Sequence, residues 1–144
     1  MYRATCDLKH ATKPMLEEYI KKIRDVVSKS EKIDYAFLFG SVLKRRLPES
    51  DVDILLGAHL KPFEKIDLAM ELELLLKRKV DIVLVNEAPC ELVLKALSKG
   101  LPIMINDKVS LKSDYFRNFY LYEDRNILRE LRIARIKRRY SYAG

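Results

Sequence analysis

Asp51 and Asp53 flank a single valine, and a third acid, Asp81, interrupts the apolar run Val80–Val85. Upstream, the apolar run ending at Phe39 meets Gly40-Ser41, and nine residues separate that pair from Asp51. Side chains alternate along a strand, so Asp51 and Asp53 project together while Val52 and Ile54 take the opposite face. Two carboxylates on one face repel unless positive charge lies between them. A divalent cation supplies it, and magnesium prefers oxygen ligands while keeping positions for water and phosphate. Gly40 permits close backbone approach to a ligand, and Ser41 adds a hydroxyl donor. Free N–H groups at a following helix start favour anions, and Lys44, Arg45 and Arg46 add positive charge. A phosphate cradle opposite paired carboxylates is what metal-assisted phosphoryl or nucleotidyl transfer requires.

The elements that must position these residues follow from periodicity. Ile33 to Phe39 reads as a first strand, leading into the Gly-Ser turn. Val42 to Arg46 reads as one helical turn stopped by Pro48. Asp51 to Leu56 is the second strand, ending at Gly57, and Val80 to Val85 is the third. If these last two are neighbours, Asp81 faces the same side as Asp51 and Asp53. Three converging carboxylates suit two magnesium ions, with Asp81 orienting or deprotonating an attacking hydroxyl. Glu49 reads as a solvated loop acid at the rim.

Helices fill the intervals. Thr12-Lys13-Pro14 reads as a helix start, and Met15, Leu16, Tyr19, Ile20, Ile23, Val26 and Val27 form its apolar stripe. Residues before it show no clear period. Pro62 opens a helix that runs to Leu76, closed by Lys77, Arg78 and Lys79, whose charge suits a helix C-terminus. Pro89 opens another that ends at Gly100, followed by a short strand from Leu101 to Ile105. From about Asp107 one long helix carries Tyr115, Phe116, Phe119, Tyr120, Ile127, Leu128 and Leu131, then a basic end with Arg129, Arg132, Arg135, Lys137, Arg138 and Arg139. The alternation of strands and helices predicts a sheet flanked by helices.

The totals agree with a globular chain. At 144 residues, with 49% hydrophobic residues, a substantial core is expected. A net charge of +7 points toward acidic partners: nucleotide, nucleic acid or an acidic protein face. Cys6 and Cys90 lack zinc-binding spacing and are expected to be reduced thiols in cytoplasm. His10 and His59 are isolated surface residues. No apolar run approaches bilayer length, and the N-terminus does not read as a signal peptide.

Gly40-Ser41, the Asp51-Val52-Asp53 pair and Asp81 on a later strand, in that order, resemble the DNA polymerase β nucleotidyltransferase superfamily. The nearest likeness is to the minimal nucleotidyltransferases that accompany HEPN-domain proteins, and it covers about residues 33–105. It implies an α/β (α+β) polymerase β-like fold: a short mixed sheet flanked by helices, with a long C-terminal helix, in one domain spanning 1–144. It also implies ATP as substrate, with Gly40, Ser41 and Lys44 holding phosphates and Asp51, Asp53 and Asp81 serving as metal ligands and catalytic acids. The family pattern places a small residue, a basic residue and a glycine after the Gly-Ser. Here Leu43, Lys44 and Arg45 occupy those places, so arginine stands where the family has glycine.

The activity implied is that of an antitoxin transferring AMP from ATP to a tyrosine of a HEPN ribonuclease toxin. Two alternatives remain open. One is a non-catalytic member of the fold that neutralises its partner by binding, which Arg45 favours. The other is a small-molecule, aminoglycoside-type nucleotidyltransferase, for which an acidic pocket is expected. Nucleic-acid contact by the basic tail and self-association also stay open.

Overall fold

The computed structural model describes residues 13–44 and 51–143. Its elements in chain order are α1 (Lys13–Val27), β1 (Ile33–Phe39), α2 (Ser41–Lys44), β2 (Val52–Ala58), α3 (Pro62–Leu76), β3 (Val80–Leu84), α4 (Cys90–Lys99), β4 (Leu101–Ile105) and α5 (Lys108–Ala143). The expected lead-in before residue 13, Cys6, His10, Arg45, Arg46, Pro48 and Glu49 lie outside the described residues, as does the side chain of Lys44.

The four strands lie in the order β3-β2-β1-β4. β1 is antiparallel to both β2 and β4, whereas β2 and β3 are parallel. The sheet is therefore mixed. A parallel neighbour needs a crossover, and α3 provides it between β2 and β3.

Alternation divides the strand side chains between two layers. Val52, Ile54, Leu56 and Ala58 from β2 join Val80, Ile82 and Leu84 from β3 on one face, with Ile23 and Val27 of α1 and Leu72 and Leu76 of α3. Full burial of each such valine, leucine or isoleucine side chain stabilises the fold by about 1.5–3 kcal/mol. Tyr35, Phe37 and Leu55 point to the other face and meet Val93 and Ala96 of α4. Cys90, also buried, begins α4.

Local chemistry sets the helix ends. Pro62 starts α3, and the Glu64 carboxylate accepts from the Lys61 N–H at 3.0 Å, satisfying a donor the helix leaves free. Lys77 closes α3 in the left-handed conformation, φ 57°, a place glycine fills more often. Arg78 then lies over the Tyr19 ring, 5.5 Å from its centroid. Asp107 caps α5 by accepting from the Val109 and Ser110 N–H groups at 3.0 and 3.1 Å.

Two expectations require correction. Asp51 precedes β2 rather than opening it, and Gly57 lies inside the strand rather than ending it. The reason for Gly57 is steric. It sits opposite Tyr35 across the β1–β2 pair, and a Cβ there would come within 2.0 Å of the Tyr35 ring. That ring is fully buried, and its hydroxyl donates to the Asp114 carboxylate of α5 at 2.9 Å. Arg117 pairs with the other Asp114 oxygen at 2.7 Å. The glycine thus makes room for the tyrosine that ties α5 to the sheet.

Candidate functional site

The sheet's register brings the acids together. Asp53 of β2 lies directly beside Asp81 of β3, and on its other side it pairs with Phe39 of β1. Residues at equivalent positions on adjacent strands share a face, so both carboxylates leave the sheet on the side of Tyr35 and Phe37. Val52 and Ile54 are buried on the opposite face. Asp51, immediately before β2, comes close enough to repel Asp53.

Gly40 completes this end of the sheet. It follows β1 with φ +89°, a conformation that L-residues with side chains rarely adopt. Its position is tight as well as left-handed. A Cβ on Gly40 would stand 2.3 Å from Asp53 Oδ2. The Gly-Ser bend and the carboxylate are therefore in direct contact, although thirteen positions separate Gly40 from Asp53. Ser41 opens α2 and is exposed, while Val42 is buried beneath it. The Gly40 carbonyl accepts from the Leu43 N–H at 3.1 Å, closing the turn. Lys44 ends α2.

Asp53 carries the electrostatic strain. Burial first, then the charge of Asp81, then that of Asp51 push its carboxyl from 3.8 up to about 6. Among the described residues no ion pair or side-chain hydrogen bond compensates any of the three acids. Asp51 and Asp81 are exposed and Asp53 is half-buried, so the site opens to solvent.

The donor set matches a hard, oxygen-seeking cation. Magnesium is commonly held by only one or two carboxylates, with water and phosphate oxygens completing its shell. Asp53 and its in-register neighbour Asp81 are such a pair, and a cation between them would relieve the repulsion. The acids do not form a closed three-ligand cage: among the described residues no group of three or more acids, histidines or cysteines is gathered tightly enough to hold an ion.

Sequence reasoning missed the contact between Gly40 and Asp53, and the Tyr35–Asp114 bond behind the site. The first depends on β1–β2 register, which a strand's own residues do not announce. The second had a signal: glycine within the apolar stretch Leu55-Leu56-Gly57-Ala58 marks a close approach by something bulky. Among the described residues, no helix is long and apolar enough to cross a membrane.

Comparison with known proteins follows the same lines. The family model "Polymerase beta, Nucleotidyltransferase" matches residues 21–109. No curated protein matches the chain significantly in sequence. Among solved structures, the chain is similar to one in the toxin–antitoxin MntA–HepT, with TM-score 0.65 and 20% identity over 83% of this chain and 97% of that one. It is similar to one in the complex of a tri-AMPylated Shewanella oneidensis HEPN toxin with MNT antitoxin, with TM-score 0.64, 20% identity and the same coverages. A toxin–antitoxin structure with AMP-PNP gives TM-score 0.63 and 22% identity, again over 83% of this chain and 97% of the other.

Proposed function

The chain belongs to the polymerase β nucleotidyltransferase family, and from that premise we propose that it is a magnesium-dependent antitoxin that transfers AMP from ATP to a tyrosine of a HEPN ribonuclease toxin. The observation that carries this reading is the Asp53–Asp81 register with Gly40 turned against Asp53. The fold's likeness to structures of toxin–antitoxin complexes, one with an AMPylated toxin and one with AMP-PNP, supports the choice of partner and donor. A nucleoside triphosphate donor fits cytoplasmic work.

In this mechanism Gly40 and Ser41 hold the β- and γ-phosphates, the first through its backbone and the second through its hydroxyl. Lys44 adds positive charge to the same end of the nucleotide. Asp51, Asp53 and Asp81 would hold the magnesium. When bound, that ion offsets the charge of the phosphates and of departing pyrophosphate. Asp81 orients the acceptor hydroxyl and takes its proton. The hydroxyl oxygen forms a new bond to the α-phosphorus, the bond from that phosphorus to the bridging oxygen breaks, and pyrophosphate carries away the electron pair. The acceptor keeps the AMP.

The binding-only reading keeps one specific support, Arg45 in the family's glycine place. One experiment separates the two. The chain, a cognate HEPN protein, magnesium and ATP labelled at the α-phosphate are incubated together. We expect label on the HEPN protein, reduced on the order of 100-fold or more by Asp81→Ala and likewise by Asp53→Ala. Equal labelling by these variants would remove the catalytic assignment. Neutralisation of the toxin without any labelling would establish the binder.

A further inference from the structure

Lys79 stands beside the acids and takes no part in the chemistry described so far. It directly precedes β3, and its carbonyl accepts from the Val52 N–H at 2.9 Å. Val52 itself pairs with Val80. The ladder between β2 and β3 therefore already holds the backbone of Lys79, two residues before Asp81.

The residues on either side of it fix where its side chain goes. Arg78 lies over the Tyr19 ring of α1, and Val80 is buried in the same layer as Tyr19. Val83 packs in the other layer, with Tyr35 and Phe37. By the period of two, Lys79 belongs with Asp81 and Val83, on the face that carries the carboxylates. About 6.6 Å of strand separates positions 79 and 81, a span that a lysine's four-carbon stem covers. Its charge is not spent on the acids. Lys79 is exposed, and among the described residues it has no ion-pair partner. The charges that shift Asp53 are those of Asp81 and Asp51, both negative.

The order of the strands says what this cation meets. Gly40, at the end of β1, touches Asp53 from one side, and β3 flanks β2 on the other. Neighbouring strands lie about 4.8 Å apart, so about 10 Å separates β1 from β3. In transfer to phosphorus the entering and leaving oxygens lie roughly in line, on opposite sides. With pyrophosphate held at the Gly-Ser bend, the acceptor oxygen enters from the side of β3. Lys79 is on that side.

We infer that Lys79 is the acceptor-binding residue of this site: its ammonium pairs with a carboxylate that the acceptor protein carries beside the hydroxyl receiving AMP. This rests on the AMP-transfer reading above and adds to it the chemistry of the acceptor, an acidic side chain next to the modified tyrosine. The pairing chooses among exposed hydroxyls and brings one to Asp81, leaving the chemical step to the acids.

Two measurements on the full chain and a cognate HEPN protein test it. In label transfer from ATP with magnesium, Lys79→Met should raise KM for the HEPN protein about fivefold and Lys79→Glu more than about tenfold. Both kcat and KM for ATP should stay within about twofold, the pattern of a lost binding contact. Lys79→Arg keeps the charge and should stay near wild type. In the second measurement, zero-length carbodiimide coupling of the two proteins without ATP, read by peptide mass spectrometry, should join Lys79 Nζ to a carboxylate of the HEPN protein. Lys79→Arg, which cannot form that amide, should lose the link. A rise in KM for ATP in place of that for the HEPN protein overturns the inference, as does a fall in kcat alone. So does a Lys79→Met variant that differs only in melting temperature, which is what a lysine merely balancing the end of α3 would give. If Lys79→Met instead loses affinity for a single-stranded RNA oligonucleotide and keeps its KM for the HEPN protein, the anion is a phosphate and the inference fails. Absence of the link overturns it too. If the wild-type chain transfers no label, the AMP-transfer reading fails and the link alone decides the role of Lys79.

Discussion

Asp53 decides how the site responds to pH. Without a cation its folded-state carboxyl titrates near 6, against 3.8 for the free group. The folded chain therefore holds its proton more tightly than the unfolded chain does. The resulting stabilisation is present below about pH 4 and is lost as pH rises through about 6. Thermal melts in chelator should fall between about pH 5 and pH 7, by about 1 kcal/mol once screening at a half-exposed group is allowed for. Asp53→Asn should flatten that slope, and magnesium should restore stability at the higher pH. Gly40 answers to geometry instead. Gly40→Ala imposes a left-handed alanine, costing about 1–2 kcal/mol, and drives its methyl into the Asp53 carboxylate. Circular dichroism should remain folded, while AMP transfer falls on the order of 100-fold through misplacement of the acid. That Asp53 faces away from Val52 and Ile54 was legible in the sequence, since a period of two gives it without any fold. That Gly40 touches Asp53 was not, because that contact is made across two strands.

At the scale of elements, Gly57 and Tyr35 form one unit. Gly57→Ala puts a Cβ 2.0 Å from a ring that cannot retreat, walled in by α4 and bonded to Asp114. Overpacking of this kind costs about 1–3 kcal/mol. Urea melts should show that loss, and hydrogen exchange should show it concentrated in α5, which hangs on the Tyr35–Asp114 bond. The helices and strands themselves were readable in order. Prolines at 62 and 89 marked two helix starts, and branched runs marked the strands. The boundaries of β2 were misread because a glycine in an apolar run can be a terminator or a hole for a neighbour. Only the partner strand distinguishes the two.

The whole molecule is two unequal parts: a sheet layered with helices on both faces, and a helix whose last turns leave the body. The sequence announced the length and charge of that helix. It did not announce where contact with the domain ceases, since aromatic residues recur from Tyr115 to Tyr122 around the helix, yet Phe116 and Tyr120 are exposed. Removing residues 127–144 should change the unfolding free energy of the monomer by less than about 1 kcal/mol, measured by denaturant titration at low protein concentration.

The parallel pairing of β2 with β3 also orders the history of the site. β1 and β2 are antiparallel and nearly consecutive, so they can meet as soon as the chain between them closes a short loop. Asp81 arrives only after α3 has crossed the sheet and delivered β3, a longer and slower closure. The two carboxylates thus come face to face in the same pairing that brings Val80, Ile82 and Leu84 into the apolar layer, so their repulsion and the burial that withstands it belong to one step.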